Sequence, residues 1–147
     1  MVGRAFQRGD GGQSMVEFAL ALPMLVFLLI GGADLARAFA IQVAVQNGAR
    51  AGAEAAALDF SPTSSKAEAR ARDEMARTPG MDPAAPTVTV TFSQADGTTA
   101  CVEPTIGTPC YATVRVQHTW QTLIPWPLLP NVANFDRSTT VRTVKAP

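Results

Sequence analysis

From Phe18 to Ala33 every residue is apolar, glycine or proline, and no charged side chain appears between Glu17 and Asp34. Wound as a helix from Met15 to Leu35 at about 1.5 Å per residue, this stretch spans roughly 30 Å, the thickness of a bilayer's hydrocarbon core. It is read as membrane-spanning. Glu17 is the exception at its start. A carboxylate at mid-bilayer costs about 2.5–3.5 kcal/mol and less near an end, so a residue that opposes insertion implies a task beyond anchoring.

The twelve residues ahead of Gln13, MVGRAFQRGDGG, are polar. Arg4, Arg8 and the amino terminus outweigh Asp10, which favours a cytoplasmic N-terminus. Gly9, Gly11 and Gly12 predict an extended, unhindered approach to Gln13. Two other readings of the apolar run stay open. A secretory signal peptide shares the basic start, and Ala38-Phe39-Ala40 offers a small-x-small cut. Against it stand Glu17, the length of the run, and Asp34 and Arg37 ahead of that cut. A permanent, uncut anchor is the other.

Gly12, then Gln13-Ser14-Met15-Val16, then Glu17-Phe18 and an apolar helix resembles the processing site of type IV prepilins. The longer run GQSMVEFALALPMLVFLLIGGADLARAF, with QNGARAGA at 46–53, is similar to the TadE-like proteins, minor pilins (pseudopilins) of the tight-adherence (Flp, type IVb) pilus system. The resemblance covers roughly residues 11–53 and is only architectural beyond them. It implies cutting by a prepilin peptidase between Gly12 and Gln13, with Gly12, Gln13, Glu17 and Phe18 as the processing site. It also implies a single-pass protein of the inner membrane or the pilus, its C-terminal domain outside the cytoplasm. The partners implied are the peptidase, the major Flp-type pilin, other minor pilins, the inner-membrane assembly platform and membrane lipid. Pro23, inside the helix, fits the same pattern, since membrane helices tolerate a proline where neighbours satisfy the freed carbonyl.

Beyond the apolar run the side chains shrink, and a continuous helix is predicted from about Ser14 to Leu58. No proline interrupts it after Pro23, and alanine is the best helix former. Small residues recur every fourth position at Gly32, Ala36, Ala40, Ala44, Gly48, Gly52 and Ala56, a spacing that lets helices approach closely. Ser65 with Glu68 has the form of a capping box for a second helix to about Arg77, whose opposite charges at Glu68–Arg72, Arg70–Glu74 and Asp73–Arg77 support one another. Thr78 to Pro86 reads as a stiff linker.

The period then changes to two. Strands are expected at Thr87–Phe92, Tyr111–Gln121 and Ser138–Lys145, with Ala112, Val114, Val116, His118 and Trp120 on one face of the longest. The stretch Ile124–Pro130, IPWPLLP, is a proline-rich crossover and no central strand. The fold class is therefore α+β: a long N-terminal helix, a short second helix and a three-stranded antiparallel meander. The organisation reads as leader 1–12, membrane and extended helix 13–58, second helix and linker 59–86, and an extracytoplasmic β domain 87–147.

Twelve basic and twelve acidic residues balance, with no basic block, so nucleic-acid binding has no electrostatic footprint. Eight residues lie between Cys101 and Cys110, among them Pro104, Gly107 and Pro109. That spacing suits a disulfide in an oxidising compartment, with two free buried thiols as the alternative. Two Cys and the lone His118 do not complete a tetrahedral metal set. His118 is read as a half-buried structural residue, and Trp120, Trp126 and the PWPLLP leucines as a lid on the core, with an exposed contact patch as the alternative. No nucleophile motif, phosphate loop or carboxylate pair stands out. A non-enzymatic protein without cofactor or small-molecule substrate is expected.

Overall fold

The computed structural model describes residues 12–58, 63–101, 107–127 and 130–144. Five elements follow in chain order: α1 (Gln13–Leu58), α2 (Ser64–Met75), β1 (Thr87–Gln94), β2 (Cys110–Gln121) and β3 (Val132–Arg142). This is the expected α+β class, a long helix, a short one and a three-stranded antiparallel sheet. The chain divides into two compact units, Met1–Ala36 and Arg37–Pro147.

In the first unit α1 is apolar and mostly exposed from Phe18 to Ala33, whereas Asp34 is buried. Pro23 sits inside the helix, where the missing N–H leaves one carbonyl of the preceding turn without its helical donor.

The second unit is built around a sheet of order β1-β2-β3. Thr87 pairs with Gln117 and Gln94 with Cys110 on one side of β2, while Tyr111 pairs with Arg142 and Gln121 with Val132 on the other. Alternation sorts the faces. On β2, Ala112, Val114, Val116 and Trp120 are buried, and His118 on the same face is half-buried. Val88, Val90, Phe92, Ala133, Phe135 and Val141 pack against this core from the flanking strands.

The helices complete the core with small side chains. Ile41, Ala44, Val45, Ala49, Ala53 and Ala56 of α1 and Ala67, Ala71 and Met75 of α2 are buried. Gly48 and Gly52 show how close the packing is. A Cβ on Gly52 would lie 2.9 Å from the Ala67 carbonyl oxygen and 3.2 Å from Val114 Cγ1, and one on Gly48 would lie 2.6 Å from Met75 Cγ. The small-residue row thus has a partner within the chain from Ala44 to Ala56, whereas Gly32, Ala36 and Ala40 are exposed.

Several boundaries depart from expectation. The cap of α2 is Thr63, two residues before Ser65: its extended backbone and its Oγ1, which accepts from the Lys66 amide at 3.3 Å, terminate the orphan donors first. The helix stops at Met75, short of Arg77, because the chain turns at Thr78 ahead of Pro79 and Gly80. With Arg77 off the helix, the i+4 geometry to Asp73 is lost, and Arg77 pairs instead with Glu74 at 3.6 Å. β1 runs on to Gln94 because the chain folds straight back: the Asp96-Gly97 turn, with Gly97 at φ 74°, returns Thr99 to accept from the Gln94 amide at 2.8 Å.

The largest departure is β3. It begins at Val132 rather than Ser138 and ends at Arg142 rather than Lys145, which lies outside the described residues. Asn134 and Asp136 look like turn formers, but the sheet uses them as outward-facing rungs opposite Thr119 and Gln117.

Candidate functional site

α1 starts at Gln13, and Gly12 is wound in a 3₁₀ turn leading into it. The extended backbone expected at Gly12 is therefore already helical; Gly9 and Gly11 lie outside the described residues. Among the described residues nothing lies within 4 Å of the position a Gly12 side chain would occupy. One helical turn brings residues i and i+4 together, and Gln13 Nε2 donates to Glu17 Oε1 at 3.2 Å. Phe18 follows, 61% exposed. Gly12, Gln13, Glu17 and Phe18 are all exposed and share one stretch at the start of the helix.

What surrounds them is unusual for water. Met15, Val16, Leu20, Met24, Phe27, Leu28 and Leu29 are all exposed, the last at 74%. A fully exposed large apolar side chain forgoes about 1.5–3 kcal/mol of burial, and a helix apolar on every side is suited to a lipid or protein-core environment. The helix is long and apolar enough to cross a membrane.

The second unit presents a polar outer face on its sheet. Arg115 Nε donates to Asp136 Oδ1 at 2.8 Å, and Gln117 Nε2 to Asp136 Oδ2 at 3.0 Å. Thr119 Oγ1 donates to Asn134 Oδ1 at 2.9 Å, and the hydroxyls of Thr113 and Thr140 share a hydrogen bond of 2.8 Å. The hydrogen bonds from Arg115, and after them the one from Gln117, hold the Asp136 carboxyl below the usual carboxylate range. A groove of about 500 Å³ opens beside Gln117, His118, Thr119, Asn134 and Asp136. Its polar side chains largely satisfy one another, and burial pushes the His118 pKa down. Among the described residues no three His, Cys, Asp or Glu side chains gather as a metal site.

Cys101 and Cys110 are joined by a disulfide with Cα atoms 5.6 Å apart. It ties the end of the β1 turn, where the Cys101 amide donates to the Phe92 carbonyl at 3.2 Å, to the first residue of β2. Trp120 is buried and Trp126 half-buried. The crossover is closed by Asn131, whose Oδ1 accepts from the Trp126 amide at 2.6 Å and whose Nδ2 donates to the Trp126 carbonyl at 3.2 Å. Leu128 and Leu129 lie outside the described residues. Sequence reasoning missed Asn131; an Asn closing a proline-rich loop was the only signal for it.

One exposed apolar helix near the N-terminus, followed by a small α+β unit, fits the class of proteins held by a single-pass membrane anchor. Residues 12–54 match the model of the family of TadE-like proteins, and the N-terminal segment is TadE-like in the plain sense of that match. The family points to association with the tight-adherence pilus. No curated protein and no solved structure matches the chain.

Proposed function

We propose that this chain is a minor pilin-like structural subunit in the biogenesis of tight-adherence (Flp) pili, without enzymatic activity, and that a prepilin peptidase processes it between Gly12 and Gln13. The observation that carries this reading is Glu17: one carboxylate, one helical turn from Gln13, in an apolar helix with no other charge before Asp34. Buried in a bundle of helices, that carboxylate needs a cation to offset its desolvation. The α-ammonium of a neighbouring subunit is such a cation, and cleavage creates it. Processing thereby makes a subunit competent to assemble, with the apolar helix between subunits and the sheet domain displayed outside the cytoplasm. The partners in this account are the peptidase, the major pilin, other minor pilins, the assembly platform and lipid.

The test is the N-terminal sequence of the protein recovered from its own cells. A start at Gln13 is expected, and Glu17→Ala is then scored for assembly separately from cleavage. A start near Phe39–Ile41 overturns the reading in favour of a secreted domain released by signal peptidase, and a start near Met1 in favour of an uncut envelope scaffold.

A further inference from the structure

Cleavage after Gly12 would leave a glutamine as the first residue, and that has a chemical consequence of its own. The free α-amine of an N-terminal glutamine attacks its own side-chain amide. The bond from the α-nitrogen to Cδ forms, the Cδ–Nε2 bond breaks, one proton passes from the amine to the departing nitrogen, and ammonia leaves. The product is an uncharged lactam. No oxidant or other reactant is needed, so the reaction is available wherever the amine is neutral and the amide free to fold back on it.

We propose that Glu17 is the residue that holds a processed Gln13 open against this closure, making Gln13 a latent lactam-forming modification site. The inference rests on the processing reading above. Two features of the N-terminal turn support it. First, the Gln13 amide nitrogen is tethered to Glu17 Oε1 at 3.2 Å. In a helix the residue four positions on lies toward the C-terminus, so this tether draws the amide along the helix and away from its own backbone nitrogen. Second, Glu17 is the only charged side chain between Gly12 and Ala33. An opposite charge nearby favours the ammonium form of an amine, and the ammonium has no electron pair with which to attack. The same carboxylate therefore restrains the electrophile and disarms the nucleophile. The ammonium it preserves is the group on which subunit pairing depends.

The experiment is mass spectrometry of the N-terminal tryptic peptide from full chain co-expressed with a prepilin peptidase. Cut at Gly12, the peptide runs from Gln13 to Arg37; uncut, it runs from Gly9 to Arg37. The expected result is an open Gln13 peptide in the wild type and, in Glu17→Gln, a peptide lighter by the mass of one ammonia and blocked to stepwise degradation. Glu17→Asp, which keeps the charge, stays open. A wild type already closed, or a Glu17→Gln peptide as open as the wild type, overturns the guarding role while leaving the processing reading intact. An uncut wild type overturns both. If Glu17→Gln resists the peptidase, the same chain released from a fusion so that Gln13 comes first carries the comparison, with the same two outcomes.

Discussion

Arg72 Nη1 lies 2.7 Å from the carbonyl oxygen of Pro83, and the same guanidinium reaches the carbonyl of Pro86 at 3.3 Å and Glu68 Oε1 at 2.8 Å. One side chain on α2 thus fastens the proline-rich linker that delivers the chain into β1. Prolines supply carbonyls but no N–H, so a linker of this composition depends on an external donor, and the five N–H groups of arginine serve several acceptors at once.

Replacing Arg72 with Ala therefore costs more than an exposed helical ion pair. Hydrogen bonds to charged groups contribute about 1.5–3 kcal/mol, and the partial exposure of this one puts the expected loss near the lower end of that range. Lysine recovers only part of it, since one ammonium does not reproduce the fork. Urea unfolding of the wild type, Arg72→Ala and Arg72→Lys checks the order. A matched Arg50→Ala change is the control: Arg50 pairs with Glu54 at 2.7 Å with its side chain 72% exposed, and such pairs contribute about 0.3–0.5 kcal/mol.

Gly52→Ala is expected to destabilise the second unit by about 1–3 kcal/mol, the usual cost of overpacking. The new methyl would meet the Ala67 carbonyl oxygen at 2.9 Å, a backbone atom that cannot rotate away. Gly32→Ala has the opposite expectation. Nothing lies within 4 Å of its added methyl, and alanine is favoured over glycine in a helix by about 1 kcal/mol. Thermal unfolding of the two variants separates a glycine required for contact from one that is not.

The contrast between those glycines marks where the sequence was legible. Periodicity placed α1, α2 and the inner face of β2, because an apolar run and strict alternation each leave one packing solution. It assigned the small-residue row only to helices in general. Which half of the row meets α2 depends on the turn at Thr63 and on where the sheet sits, and neither is local. β3 was half missed for a related reason: Asn134 and Asp136 have low strand propensity, and the cross-strand bonds to Thr119, Gln117 and Arg115 that override it are visible only once the strands are side by side. For Arg72 only the i−4 partner Glu68 is visible in sequence; its carbonyl partners, eleven to fourteen residues on, are not. Glu17 was legible at once, since a charge in an apolar run stands out without any tertiary context.

The disulfide offers a stability test. Closing the loop between Cys101 and Cys110, a separation of 9 residues, contributes roughly 2–3 kcal/mol in the chain-entropy model. The double variant Cys101→Ala/Cys110→Ala is expected to lose about that much, and added reductant should then have no further effect on it. A wild type whose unfolding midpoint ignores reductant contradicts the assignment. Cys110 is itself buried at the head of β2, so serine is the harsher replacement, adding the cost of a buried hydroxyl.

Acid should unfold the second unit in two separable steps. Burial lowers the His118 pKa below its ordinary 6.5. The unfolded chain therefore binds a proton that the folded chain resists, and stability falls as pH drops below about 6.5 toward the folded value. The carboxylates act lower down. Hydrogen bonds from Thr99 and Thr98 bring the Asp96 pKa from 3.8 down to about 2, and Arg115 lowers that of Asp136 from 3.8. A carboxylate with a depressed pKa supplies stability that is present above its unfolded value and lost as pH falls through the folded one, so these contributions fade from about pH 4 downward. Both steps have the same sign, and among the described residues His118 is the group assigned to the upper one. In His118→Gln the urea midpoint should be flat between about pH 7 and pH 5 where the wild type declines, while the fall below pH 4 persists. A variant that keeps the upper decline would show that another group titrates there and would overturn the assignment to His118.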